Sequence, residues 1–97
     1  MTYDKIIETI DGHLARSSKP YWGDYFIGIT GNLEEQLAYH KVPKNNFWYV
    51  WCRADNPTIA RQAEKHYLAK GMEGSPASGD NPLFVYCYEI AQFTREA

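Results

Sequence analysis

Residues 25–40 read YFIGITGNLEEQLAYH, and this stretch decides the fold. A short apolar run stops at Thr30-Gly31, and helical spacing begins at once with Leu33 and Leu37. Asn32 is placed to cap a helix, because its side-chain oxygen can accept one of the orphan amides of the first turn. Glu35 lies three residues on, where a capping box takes a carboxylate or amide. The spacing therefore predicts a strand over 25–30, a tight turn, and a helix over 33–40. Alternation puts Tyr25, Ile27 and Ile29 toward the main core and Phe26, Gly28 and Thr30 on the other face. Gly28 weakens a strand unless some other group must come close to it.

Working outward, the spacing predicts an N-terminal amphipathic helix over 3–16 with Ile6, Ile7, Ile10 and Leu14 on one stripe and Thr2 as cap. Residues 47–53, FWYVWCR, are apolar at nearly every position, which predicts a central strand covered on both faces. Asn56-Pro57 is an N-cap followed by proline at the first helical position. It opens a helix over 57–70 with Ile59, Ala60, Ala63, Tyr67 and Leu68 as its stripe, ended by Gly71. Residues 71–82, with three Gly and two Pro, read as a loop without packed structure. Residues 83–90 form a third strand, with Phe84, Tyr86 and Tyr88 on one face as an exposed aromatic row that Tyr25 and Trp22 would join. Residues 91–97 read as a fraying polar tail. The expectation is one small α+β domain spanning 1–97, in the order α-β-α-β-α-β, with helices packed on a three-stranded mixed sheet.

Composition narrows the setting. Ninety-seven residues with eight Tyr and three Trp suffice for one core without metal staples. No apolar run is long enough to span a bilayer, and acids among the first apolar residues argue against a secretory signal. Cys52 and Cys87 sit inside apolar runs, as buried free thiols do, and no CxxC or Cys/His pair has zinc-ligand spacing. These features point to the cytoplasm and away from membranes. The overall charge of −2 hides a basic middle: Lys41, Lys44, Arg53, Arg61, Lys65 and Lys70 stand against Asp55 and Glu64 over residues 41–70, net +4. Such a segment is either a solvated helix face or a surface that meets phosphate.

The stretch 25–40 resembles the GIY-YIG nuclease superfamily, whose strand and following helix read YIGxTxNLxxRLxxH. Phe26-Ile27-Gly28, Thr30, Asn32-Leu33, Leu37 and His40 match that pattern. Ala60, Glu64 and Leu68 match the AxxxExxL helix in which the family carries a metal-binding glutamate. The resemblance covers about residues 25–68. It implies a GIY-YIG-like fold, nucleic acid or another phosphate ligand as partner, and Mg²⁺ as cofactor if the chain is catalytic. It also implies Glu64 as metal ligand and His40 as general base. Three departures accompany it. Phe26 replaces the YIG tyrosine, Gln36 falls where the helix arginine stands, and no GIY strand precedes residue 25. A phenyl ring cannot hydrogen-bond a phosphate oxygen, and an amide brings no charge to it. Strand 83–90 would supply the missing strand if it paired beside 25–30. The sheet would then be circularly permuted, with Tyr86 or Tyr88 in the GIY tyrosine's place.

Three functions follow as expectations. The first is a degenerate domain that binds nucleic acid with little or no cleavage, through Gln36, Lys41 and Arg61 at phosphate. The second is a protein-interaction or assembly module with no chemistry, whose partner is another protein. The third is a Mg²⁺-dependent endonuclease of rearranged site: Tyr86 or Tyr88 positions water, Glu64 holds the metal, and Arg61 or Lys41 replaces the lost charge. Each residue also has a plainer reading. Glu64 could be a helix-surface acid paired with Arg61, His40 a helix-end cap, and Trp48, Tyr49 and Trp51 buried core rather than a base-stacking platform.

Overall fold

The structure is a computed structural model that describes residues 1–43, 47–74 and 81–96. Helix α1 spans Tyr3–Leu14, strand β1 Tyr25–Thr30, helix α2 Leu33–Tyr39, strand β2 Tyr49–Arg53, helix α3 Pro57–Lys70 and strand β3 Phe84–Glu89. A 3₁₀ turn at Trp22–Asp24 leads into β1.

Local chemistry accounts for the helix starts. Thr2 accepts from the Lys5 amide at 3.2 Å, Asn32 from Glu35 at 3.1 Å and Asn56 from Ile59 at 2.9 Å. Only half of the expected box forms at α2. The Asn32 amide donates instead to Thr30 Oγ1 at 3.0 Å, and Glu35 meets the Asn32 side chain. Gly71 ends α3 at φ 115°, a left-handed conformation that side chains disfavour.

The sheet order is β1-β3-β2, and both pairings are antiparallel. The expected mixed sheet is therefore an antiparallel one. β1 and β2 run the same way, but β3 enters between them and opposes both, so no parallel pair forms. β2 is an edge strand and not the central one. Only its inward residues Val50 and Cys52 are buried, while Trp51 is 49% exposed.

Each face of the sheet has its own apolar cluster. On the first face, Ile27, Ile29, Val85, Cys87, Val50 and Cys52 meet Ile6 and Ile10 of α1 and Ala60, Ala63 and Tyr67 of α3. Two fully buried alanines let α3 approach the strands closely. The Tyr67 hydroxyl donates to Asp11 Oδ1 at 2.8 Å and ties α3 to α1. On the second face, Phe26, Tyr86, Tyr88 and Val42 pack with Leu33 and Leu37 of α2 and with Phe47, Tyr49 and Ile90.

The aromatic row expected to be exposed is thus largely covered: Tyr86 and Tyr88 are buried, and only Phe84 at its end is half-exposed. Tyr25 belongs to the opposite face, and Trp22 lies against Tyr67. Two further segments make contacts that their composition does not announce. Met72 is buried and Glu73 bridges Phe26 as a short parallel addition to β1, so packed structure reaches into the segment read as loop. The remainder of that segment, 75–80, lies outside the described residues, as do 44–46 and 97. Residues 91–96 make specific contacts with the rest of the chain. The Arg95 amide donates to the His40 carbonyl at 2.8 Å, and Phe93 packs on Phe47. Both cysteines are free and buried. Among the described residues no helix is long and apolar enough to cross a membrane.

Candidate functional site

β1 and β3 meet in a register that sets Gly28 opposite Tyr86. The Tyr86 ring lies across this glycine. A Cβ there would come to 2.8 Å from ring atom Cε1 and closer still to Cζ and the hydroxyl oxygen. The close approach that a glycine in mid-strand requires is therefore a tyrosine ring. From this position the Tyr86 hydroxyl reaches Nε2 of His40 at 2.9 Å.

His40 closes α2 and is buried. Its Nδ1 meets the backbone carbonyl of Arg95. A carbonyl only accepts, so Nδ1 carries the proton. In the neutral ring Nε2 is then bare, and the Tyr86 phenol donates to it. The C-terminal segment thus fixes the tautomer through which His40 faces Tyr86. We predict that ¹⁵N spectra of the histidine ring give the Nδ1–H tautomer for neutral His40. An Nε2–H tautomer would contradict the arrangement.

Glu64 projects from the middle of α3. It is 6% exposed, and its Oε2 has no hydrogen-bond partner among the described residues. Burial pushes its carboxyl above the ordinary pKa, and the Arg61 guanidinium partly opposes this. Burial also raises the Tyr86 phenol, and the Glu64 charge adds to the effect, which puts carboxylate and phenol in each other's field. Tyr86 accordingly stays protonated at neutral pH and acts as a hydrogen-bond donor. A buried acceptor without a partner costs about 1–3 kcal/mol, so it marks a place where a cation or a donor is wanted.

Both tyrosine rings lie against His40, and Tyr86 is the one hydrogen-bonded to it. Tyr88 is turned to the C-terminal segment, its hydroxyl donating to Glu96 Oε2 at 3.0 Å. Phe26 gives the site an apolar wall, its ring 4.7 Å from that of His40 and 5.3 Å from that of Tyr88. Gln36 is half-buried one turn before His40 on α2, with its carbonyl accepting the His40 amide at 3.0 Å. Lys41 follows directly, exposed and at φ 58°. Arg61 is exposed one turn before Glu64.

The structure therefore joins Tyr86 and His40 by a hydrogen bond, sets Tyr86 in the field of Glu64, and sets Glu64 in that of Arg61. For Gln36 and Lys41 it shows proximity in chain to His40 and no more. Glu64 is not the helix-surface acid of the plainer reading, and His40 uses its ring on Tyr86 and Arg95 rather than on the carbonyls of its own helix. Sequence reasoning missed the Arg95 carbonyl and the Glu96 carboxylate. The Glu64 burial did have a signal: it stands four residues from both Ala60 and Leu68, on their stripe.

The described residues contain no group of three or more His, Cys, Asp or Glu that could hold a metal. Mg²⁺ does not need such a group. It commonly takes one or two carboxylates and fills the rest of its shell with water and substrate phosphate. The unpartnered Glu64 oxygen fits that mode. No family model, curated protein or solved structure matches the chain.

Proposed function

We propose that the chain is a circularly permuted, degenerate relative of the GIY-YIG nucleases that binds a nucleic-acid phosphodiester through Mg²⁺ held at Glu64, with the Tyr86–His40 pair as a positioning element and with little cleavage. The observation that carries this reading is the buried Glu64 carboxylate with a free oxygen in the field of Tyr86. The insertion of β3 beside β1 supports it, because that pairing brings a strand from the far end of the chain to the place where the GIY strand would be needed.

Each residue has a part. Glu64 would hold Mg²⁺, which supplies charge neutralisation at a phosphate oxygen. Tyr86 gives its one phenol proton to His40 Nε2, so this pair holds its own geometry and leaves the phosphate to the metal and to Arg61. Arg61, exposed one turn before Glu64, brings positive charge beside that carboxylate. Phe26 and Gln36 offer no charge or ionisable donor to a transition state rich in negative oxygen, and for this reason cleavage is weak while binding persists.

The test is anisotropy titration of a labelled oligonucleotide with and without Mg²⁺, for the parent, Glu64→Gln and Tyr86→Phe. Parent affinity should rise with Mg²⁺ and fall with added salt, as released counterions require. Glu64→Gln should abolish the Mg²⁺ effect. Unchanged Mg²⁺-dependent binding in Glu64→Gln would overturn the reading.

A further inference from the structure

The second face of the sheet is covered unevenly. Helix α2 and the C-terminal segment close over the row Phe26–Tyr88–Tyr49. The next rows are Gly28–Tyr86–Trp51 and Thr30–Phe84–Arg53, given by the cross-strand register. Tyr86 leans away from β2 and over Gly28. The far end of its row is left to Trp51, whose side chain is 49% exposed in a sheet whose other aromatic residues are mostly covered.

Trp51 is held rather than loose. Its ring stands edge-on to Phe84, with centroids 6.0 Å apart at 65°. An indole braced in this way presents a face at little entropic cost. Arg53 shares that face of β2 and is exposed, and it forms no ion pair among the described residues. Both residues border an open cleft of about 550 Å³ that also includes Leu83 and Asp55. The Asp55 carboxylate is engaged at 2.9 Å by the Met1 amino group, which blunts its repulsion of an anion.

We propose that Trp51 and Arg53 form a subsite for an unpaired nucleotide on the second face of the sheet, so that the ligand whose phosphate is held through Glu64 is single-stranded nucleic acid. Trp51 stacks on the base, and Arg53 meets the phosphate on its far side. This rests on the phosphate reading given above. The choice of occupant follows from charge and spacing. A flat aromatic face beside an unpaired guanidinium suits a base with its own phosphate. Trp51 and Arg53 stand two residues apart on one strand, about 7 Å, a span that one nucleotide covers from its base to its phosphate. A duplex does not offer a free base face, since its bases are stacked on one another.

The experiment compares three labelled probes of equal length in the presence of Mg²⁺: oligothymidine, the same backbone without bases, and a duplex. The parent should bind oligothymidine about tenfold or more tighter than either of the others, the range that base–aromatic stacking spans. Trp51→Ala should remove this preference and leave abasic binding as in the parent, while Trp51→Phe keeps most of it. Glu64→Gln should instead weaken both single-stranded probes together. Equal parent affinity for oligothymidine and the abasic strand, with Glu64 still required, would overturn the subsite and leave the phosphate reading standing. Absence of binding to all probes would overturn both. A Trp51→Ala effect confined to self-association of the chain would assign this face to a protein contact and overturn the subsite.

Discussion

Gly28→Ala should unfold the protein at a temperature lower by roughly 8–16 °C, the consequence of about 2 kcal/mol lost in a domain of this size. The added methyl would meet the Tyr86 ring well inside contact distance. A ring at the end of a flexible exposed side chain could swing away at small cost, but this one has nowhere to go. It is enclosed by Phe26, His40 and Tyr88 and bonded to His40. Overpacking of such a site costs about 1–3 kcal/mol. The severed hydrogen bond adds about 1 kcal/mol. Against these stands about 0.5–1 kcal/mol gained because alanine is less free than glycine in the unfolded chain. The double variant Gly28→Ala/Tyr86→Leu separates the contributions. If the clash is with Tyr86, the two substitutions together cost less than their sum, by about 1–2 kcal/mol of coupling. Gly28→Ala with an undiminished melting temperature and an intact His40 tautomer would show that the ring does not lie over Gly28.

The parts of this arrangement that the sequence discloses are those fixed by neighbours in the chain. The turn from β1 into α2 rests on Thr30, Asn32 and Glu35, within six residues of one another, and the start of α3 rests on Asn56-Pro57. Alternation likewise assigns Ile27 and Ile29 to one face and Phe26 to the other. What escapes is whatever depends on distant partners. An unbroken apolar run at 47–53 reads the same in a central strand as in an edge strand that leaves one indole in solvent. Nothing local in Trp51 distinguishes the two. The polarity of 91–97 suggests fraying, because side-chain composition is silent about backbone groups. Yet it is the Arg95 carbonyl and amide that dock the segment on His40. Gly28 is the intermediate case. Its presence in a strand announces a close approach, and only the β1–β3 register names Tyr86 as the visitor.

Glu64→Leu should make the protein more stable at neutral pH while ending its response to Mg²⁺. The parent carboxylate is buried with one oxygen unpartnered, a situation that costs about 1–3 kcal/mol, and leucine fills similar space without a polar atom. A gain of about 1 kcal/mol corresponds to a melting temperature higher by roughly 4–8 °C. The sign of the pH dependence follows from burial, which raises the folded-state pKa above the unfolded value. The folded chain therefore holds this proton more tightly than the unfolded chain does, and protonation favours folding. Below the unfolded pKa, about 4.3, the charge-related penalty is absent. It grows as pH rises through the raised folded value and is constant above it. The advantage of Glu64→Leu over the parent should accordingly be least near pH 4 and greatest above neutrality, as read from melting curves across that range. Added Mg²⁺ should raise the parent's melting temperature by binding the folded state alone, and should leave the variant unmoved. Such a pair of effects identifies a residue kept for binding at the expense of stability. A variant less stable than the parent at pH 7.5, or an advantage that does not change with pH, would mean that the carboxylate is satisfied in the folded protein. The phosphate site would then lose the observation on which it is founded.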